Sequence, residues 1–274
     1  MEIRRLGDAL GAEVIGVDLA RPIDAALARR LNDALLEHIV LVLRDQRLTP
    51  GQYVEAMRTF GRPAPQNHTE QLMDGHPEIW ILDSRRGGLR KDGERNVYGA
   101  NAWHTDHTNQ QRPPKITALL AIRLPPSGGD TLFANAYAML EGLSAQTRQR
   151  IEGRRTVNGA DRHLELREDN RHAFAAPAIH PLVRTHPETG RRAIYCHPLK
   201  MQHIEGMSPQ ESFELVDRLL EEAITPAVTY RHRWSPGDLV MFDNRACLHR
   251  AVRDYDPDVG RVMHRIIVEG DAPG

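Results

Sequence analysis

The sequence predicts a mainly β fold with helices attached to a strand-rich core. Short apolar runs bounded by turn residues recur along the chain, and they crowd its last third, where "SPGD" and "DYDPDVG" separate them. A few longer segments have the apolar spacing of helices instead. No internal repeat, low-complexity tract or linker divides the 274 residues, so we expect one domain over residues 1–274.

Helices are predicted where apolar spacing and end signals agree. One segment places Leu27, Leu31 and Leu35 on a single face. Another begins with Thr49 as the N-cap and Pro50 at the first helical position, a pairing typical of helix starts. The segments expected to be helical are 24–39, 49–61, 135–152 and 208–224, the last capped by Ser208.

Strands are predicted where the apolar runs are too short for helices. These runs lie at 39–43, 78–83, 115–124, 131–134, 180–185, 192–196, 228–234, 238–244 and 261–269. Residues 84–102 and 159–178 are polar and have no periodicity, so two long loops are expected there.

Composition limits the classes of function. Lysine plus arginine number 36 against 37 acidic residues, and the formal net charge is -1, which argues against binding to nucleic acid or to an anionic membrane surface. The N-terminus lacks the apolar core of a secretory signal, and no window reaches the length of a membrane helix. Two cysteines, Cys196 and Cys247, fit a reducing compartment. We therefore expect a cytoplasmic protein.

The stretch "NAWHTDHTN" contains a candidate pair of metal ligands, His104 and Asp106. Spacing alone is weak evidence, because a chain with 14 histidines is expected to show roughly one His-x-Asp match by chance. Context separates this pair from the rest. A strand through "AWHTD" would place both side chains on one face, with Trp103 and Thr105 pointing away. The competing His-x-Glu pairs begin at His68, His76, His163, His186 and His203, in sequences typical of polar turns or loops.

A facial triad of two histidines and one carboxylate suits non-haem Fe(II) and leaves positions open for a co-substrate and dioxygen. His249, after the apolar run 238–244, is the candidate third ligand. Judged alone it is better explained as a structural histidine. The same ligand set also binds catalytic zinc, so a zinc hydrolase stays open at this point.

Several ordered motifs resemble one enzyme family. "WHTD", "GGDTLFA", "WSPGDLVMFDNRACLHRA" and "GRVMHRIIVEGD" are similar to the Fe(II)/2-oxoglutarate-dependent dioxygenases of the taurine dioxygenase and phenoxyalkanoate dioxygenase family. The similarity extends to "LGAEVIGVDL", "VLRDQRLTPGQ" and "VRTHPETGRRAIY", and so covers nearly the whole chain. It implies a double-stranded β-helix, or jelly-roll, core with flanking helices.

The resemblance also implies roles for individual residues. His104, Asp106 and His249 would bind Fe(II), while Thr131 and Arg261 would hold the distal carboxylate of 2-oxoglutarate. An arginine suits that task because its planar fork can donate two hydrogen bonds to one carboxylate. The expected co-substrates are 2-oxoglutarate and O2, and the reaction is hydroxylation.

The expected substrate is a small anionic organic molecule such as a sulfonate, sulfate ester or carboxylate. Arg265 carries this expectation, because the second arginine of the family's "RxxxR" pattern contacts the substrate anion, and an even offset keeps Arg261 and Arg265 on one strand face. Gln66, His68 and Asn109 are further candidate substrate contacts. Gln66 stands where taurine dioxygenase offers a histidine, which puts taurine itself in doubt.

Two other functions stay open at this stage. A zinc hydrolase would not need the Thr131 and Arg261 anchor, and a non-catalytic jelly-roll binding protein would not need a complete triad. Relatives commonly form dimers or tetramers, so the resemblance implies a homo-oligomer.

Overall fold

A computed structural model describes residues 1–65, 71–86, 101–161 and 176–274. Its helices are α1 (Ala25–His38), α2 (Pro50–Arg58), α3 (Ala136–Gly142), α4 (Ala145–Ile151) and α5 (Pro209–Ala223). Its strands are β1 (Glu2–Arg5), β2 (Ala12–Ile15), β3 (Val40–Leu43), β4 (Leu72–Met73), β5 (His76–Asp83), β6 (Ile116–Arg123), β7 (Thr131–Asn135), β8 (Arg155–Asn158), β9 (Ala178–Pro181), β10 (Val183–Thr185), β11 (Arg192–Ile194), β12 (Met201–Ile204), β13 (Thr229–His232), β14 (Leu239–Asp243), β15 (Cys247–Ala251) and β16 (Val262–Val268).

One large sheet forms the frame of the molecule. Its strand order is β1-β2-β3-β14-β6-β16-β5-β4, and all its neighbours pair antiparallel except β2 with β3. Its central strands are apolar on both faces, since one face packs against α1 and α2 while the other faces a second sheet. Leu31 and Tyr53 pack on the helix side with Met241 and Ile266. Strands covered on both faces read as continuous apolar runs, which is why β3 and β14 are visible in the sequence.

A smaller sheet of order β13-β7-β15 faces the other side of the large sheet. The core between the two sheets contains Phe133 from β7 and Leu248 from β15 against Phe242 and Met263 from the large sheet, all fully buried. Two sheets packed face to face, with helices outside, confirm the predicted mainly β fold with flanking helices. The functional residues lie in this inter-sheet layer.

The end signals of two helices are confirmed in atomic detail. Thr49 and Ser208 each accept a hydrogen bond from the backbone three residues later, and Gln52 and Glu211 reach back to complete a capping box. The helix expected over 135–152 is instead two helices. Leu143 is extended, and Ser144 caps the second helix through Thr147, so the local cap overrides the continuous apolar spacing.

Six strands were not predicted, namely β1, β2, β4, β8, β12 and β15. They are short, and most are mixed in polarity. The pairing of β15 is also long-range, because it pairs with β7 from Cys247 opposite Asn135 to Ala251 opposite Thr131. Strand preference depends on such neighbours more than on intrinsic propensity. In the described ranges, none of the helices has the length and apolar character needed to cross a membrane.

Candidate metal and co-substrate site

His104, Asp106 and His249 converge between the two sheets. His104 and His249 form an isolated antiparallel bridge, with N–H···O distances of 3.0 and 2.8 Å between their backbones. Their Nε2 atoms lie 3.6 and 3.9 Å from Oδ1 of Asp106, and all three residues are buried. One potential ligand atom from each lies within 4.8 Å of the others, which is the spacing of a shared metal ion. The predicted triad is therefore brought together from positions 143 residues apart in the chain.

The local structure around His104 differs from the strand expected through "AWHTD". His104 makes only the isolated bridge, and Asp106 lies in the turn that follows. The ring is nevertheless fixed, because Nδ1 donates to the carbonyl of Ala102 at 2.8 Å. With the proton on Nδ1, the lone pair of Nε2 points to Asp106, which is the arrangement that metal-binding histidines usually have.

Two residues that the sequence did not reveal orient the carboxylate. Thr117 Oγ1 donates to Asp106 Oδ2 at 2.7 Å, and Asn244 Nδ2 donates to the same hydroxyl at 2.8 Å. Asn244 Oδ1 also accepts from the backbone N–H of Asp106 at 3.3 Å. These contacts hold Oδ2, and Oδ1 is left facing the histidines. Outer contacts of this kind orient ligands and are typical of metal sites.

The electrostatics favour a charged Asp106 carboxylate beside a neutral His249 imidazole. Burial by itself would raise the pKa of Asp106, but His249, His104 and Arg265 together hold that pKa well below its usual range. Burial, reinforced by His104, lowers the pKa of His249 to about 3. Neutral imidazole and ionised carboxylate are the forms that bind a divalent metal ion.

His197 is a third residue that the sequence did not reveal. Its ring centroid lies 4.6 Å from that of His104, and it is buried. Its Nδ1 has no hydrogen-bond partner among the described residues. Burial and the neighbouring His104 hold the pKa of His197 well below its usual range, so it packs as a neutral ring beside the first histidine of the triad.

Thr131 and Arg261 meet at one aromatic ring. Trp234 Nε1 donates to Thr131 Oγ1 at 3.0 Å, and the Arg261 guanidinium lies 5.6 Å from the centroid of the same indole. Arg261 Nε also donates to the carbonyl of Gly129 at 3.1 Å. Gly129 has φ +76°, and a Cβ there would lie 3.2 Å from Arg261 Cδ, so a glycine fits the turn that approaches this arginine. The buried arginine and the threonine thus share one polar patch.

Arg265 lies nearer the triad. It is two residues beyond Met263, which packs in the inter-sheet core, so both side chains point to the same face of β16. Its guanidinium lies 4.3 Å from the centroid of Trp80 and donates to His107 Nε2 at 3.1 Å. Burial lowers the pKa of Arg265 from its ordinary value, and the Asp106 carboxylate raises it in opposition. A buried cation therefore faces the predicted iron ligands.

The structure describes one of the three other predicted substrate contacts. Asn109 lies near the triad, where its Oδ1 accepts from Lys200 Nζ at 2.8 Å. Gln66 and His68 lie outside the described residues.

Two histidines of the competing His-x-Glu pairs have structural surroundings that differ from those expected. The interpretation of His186 as part of a solvated turn is wrong, because this residue is buried and its Nε2 lies 3.0 Å from Asp243 Oδ2. His203, expected in a loop, lies in strand β12. Neither belongs to the cluster formed by the triad in the described part of the chain.

Comparison with known proteins gives a consistent result. Residues 2–267 match the model of the family described as "Taurine catabolism dioxygenase TauD, TfdA family". Pentalenolactone F synthase of Streptomyces avermitilis is 31% identical, over 100% of this chain and 95% of that protein. An alkylsulfatase of Acinetobacter baylyi is 32% identical, over 99% of this chain and 86% of that protein.

Solved structures agree with the sequence comparisons. The crystal structure of AAD-2 in complex with Mn(II) and N-oxalylglycine superimposes with a TM-score of 0.83 at 29% identity, covering 99% of this chain and 98% of that one. The jelly-roll core implied by the sequence motifs is thereby confirmed. The chain belongs to the TauD/TfdA family of 2-oxoglutarate-dependent dioxygenases.

Proposed function

We propose that His104, Asp106 and His249 bind Fe(II), and that the enzyme couples decarboxylation of 2-oxoglutarate to hydroxylation of a small anionic organic molecule. The observation that carries the proposal is the buried triad, whose donor atoms converge and whose carboxylate is already oriented by Thr117. The donor set fits the ion, because two imidazoles and one carboxylate suit Fe(II) and leave coordination positions open.

Bound iron would supply the redox chemistry by which O2 and 2-oxoglutarate give succinate, CO2 and one oxygen atom for the substrate C–H bond. The protein residues keep the ligands in their metal-binding forms and exclude water. The pKa of Asp106 keeps its carboxylate ionised, and the hydrogen bond from His104 to Ala102 keeps the Nε2 lone pair of that ring available. The burial of all three ligands excludes bulk water from the reacting centre.

Arg261 and Thr131 would bind the distal carboxylate of 2-oxoglutarate. Both are buried, and both contact Trp234. An arginine removed from water gains more from an anionic partner than an exposed one does, because the low local dielectric strengthens the pair. A structure of the relative AAD-2 holds N-oxalylglycine, an analogue of 2-oxoglutarate, together with Mn(II), which supports the same use of the site here.

Arg265 would bind the anionic group of the substrate. It is buried, and it lies close enough to Asp106 for the two charges to influence each other. A substrate anion held there would therefore have its carbon chain near the metal. If the hydroxylated carbon carries an ether or sulfate ester oxygen, the product collapses with cleavage of the carbon–oxygen bond. An alkylsulfatase among the relatives supports that outcome.

The test is succinate release by the protein supplied with Fe(II), 2-oxoglutarate and O2, across sulfonates, sulfate esters, phenoxyalkanoates and amino acids. We expect an anionic substrate to increase succinate release and to be oxidised in equal molar amount. A zinc hydrolase would give a different pattern, with turnover that needs neither 2-oxoglutarate nor O2. That pattern, or an absence of 2-oxoglutarate consumption with every compound, would overturn the proposal.

A further inference from the structure

A buried ion pair lies in the turn between β14 and β15, behind the carboxylate of the triad. Asp243 is the last residue of β14, and Arg245 follows two residues later. Arg245 donates from Nε to Asp243 Oδ1 at 2.8 Å and from Nη2 to Oδ2 at 2.6 Å, which is a fork-to-fork pair. The backbone N–H of Arg245 also donates to Oδ1 at 2.9 Å. Side chain and backbone together fix the conformation of this turn.

His186 and Glu188 extend the ion pair into a network. The backbone N–H groups of Glu188 and Thr189 both donate to Nδ1 of His186 at 3.2 Å, so the ring carries its proton on Nε2. That proton is donated to Asp243 Oδ2 at 3.0 Å, and Glu188 Oε1 accepts from Arg245 Nη1 at 2.6 Å. Burial by itself would raise the pKa of Asp243, but Arg245 and His186 hold that pKa well below its usual range. Asp243 is therefore ionised, and both of its oxygens have partners.

Asn244, between the two members of the ion pair, contacts the metal site instead. Its Nδ2 donates to Thr117 Oγ1 at 2.8 Å, and that hydroxyl donates to Asp106 Oδ2 at 2.7 Å. Its Oδ1 accepts from the backbone N–H of Asp106 at 3.3 Å, and its carbonyl accepts from Thr105 Oγ1 at 2.6 Å. The turn 243–245 thus belongs to the ion network at its two ends and to the metal site at its middle residue.

Stability alone is a weak explanation for such a network. The cost of desolvating a buried ion pair offsets much of its attraction, and apolar side chains of similar volume often stabilise a fold as well. A guanidinium fork does supply a fixed geometry, which an apolar contact does not. His249 is held independently, because β15 pairs with β7 and His249 bridges to His104. The geometry supplied by the network therefore acts on the Asp106 side of the triad.

We propose that Arg245 and Asp243 are positioning residues for the metal site. They act through Asn244, which holds the Asp106 carboxylate so that Oδ1 faces the two histidines. This inference rests on the proposed function and adds to it residues that contact neither the metal nor its ligands. The affinity for the metal ion is then set partly by the arginine fork of a turn outside the triad.

The experiment measures metal affinity rather than turnover. Metal-free protein is titrated with Mn(II), which a structure of the relative AAD-2 contains, and the unbound ion is followed by its EPR signal. Arg245→Met is expected to weaken Mn(II) binding about tenfold, because loss of an outer contact to a metal ligand typically costs about 10–100-fold. Arg245→Lys keeps the charge without the fork, so its loss should be smaller but measurable.

Arg44 provides the matched control. It pairs with the buried Asp238, whose Oδ2 lies 3.1 Å from Nε2 of the buried His232, so an arginine and a histidine share one buried aspartate here too. Within the described ranges, none of these three residues has a hydrogen bond or ion pair with the triad. Arg44→Met should lower thermal stability and leave Mn(II) affinity at the wild-type value.

A double-mutant cycle tests the route through Asn244. Asn244→Ala should itself weaken Mn(II) binding, because it removes the contacts to Thr117 and Asp106. Arg245→Met added to Asn244→Ala should then change Mn(II) affinity by less than about twofold, since two residues acting through one contact are not additive. The loss of thermal stability caused by Arg245→Met should persist in both backgrounds, which separates positioning from general destabilisation.

Wild-type Mn(II) affinity in a folded Arg245→Met protein would overturn the inference. So would an equal loss of affinity in Arg44→Met, or full additivity in the cycle. If Arg245→Met does not fold, Arg245→Lys is compared with Arg44→Lys, and equal Mn(II) affinities of these two would also overturn it. Failure of the proposed function is recognised in the wild type, either as Mn(II) binding without 2-oxoglutarate-dependent succinate release or as no Mn(II) binding, which would refute both.

Discussion

Replacing His249 with alanine is expected to abolish 2-oxoglutarate turnover and to reduce iron content sharply. His249 supplies one of three predicted ligands, and its neutral ring faces Asp106 at 3.9 Å. Loss of an outer contact to a ligand typically costs about 10–100-fold in metal affinity or activity, and loss of the ligand itself should cost more. The measurements are iron per protein and succinate release under saturating 2-oxoglutarate.

His203→Ala is the matched control for this variant. Like His249, His203 lies in a strand, and like His104 it has a carboxylate two residues later, but it lies in β12, outside the triad. The control should retain wild-type iron content and turnover. Full activity in His249→Ala would refute the triad, and iron loss from a folded His203→Ala protein would mean that another pair binds the metal.

Alanine at each of the two buried arginines is expected to impair a different step of binding. Arg261→Ala should raise the KM for 2-oxoglutarate by at least about tenfold. Truncating one side of a desolvated charge pair costs about 2–5 kcal/mol, and each 1.4 kcal/mol is about a factor of ten. Arg265→Ala should leave 2-oxoglutarate binding and slow uncoupled turnover nearly unchanged and lose the response to the anionic substrate. Succinate release against each compound in turn measures both effects.

Conservative replacement refines the comparison. Lysine at position 265 should restore little function if the substrate contact is bidentate, and more if only the charge matters. If Arg265→Ala raises the KM for 2-oxoglutarate more than Arg261→Ala does, then Arg265 binds 2-oxoglutarate and Arg261 binds the substrate. If neither variant changes the affinity for 2-oxoglutarate or for the anionic substrate, both arginines have a structural role. The argument for an anionic substrate would then be lost.

Local chemistry made part of the fold predictable. The caps at Thr49 and Ser208 act within one turn of helix, so their signals are complete in a few residues, and both helices begin where expected. The apolar runs of β3 and β14 are visible because both faces of their sheet are covered. By contrast, β15 is defined by pairing with β7 across more than a hundred residues, and two of its five residues are polar.

In the site too, local signals were predictable and contacts from distant segments were not. The spacing of His104 and Asp106 and the ordered motifs indicated the triad, but the contacts that orient it come from distant segments. Thr117 lies in a strand predicted only from its apolar residues, and Asn244 lies in the turn after β14, so neither had a local signal.

The most direct test of the central claim is an anaerobic titration of the Fe(II)-loaded protein with 2-oxoglutarate, followed by visible absorption. If His104, Asp106 and His249 hold iron with positions open for the co-substrate, a weak metal-to-ligand charge-transfer band should appear and saturate at one 2-oxoglutarate per iron. Binding of Fe(II) with no such band at any 2-oxoglutarate concentration would contradict the assignment of this site.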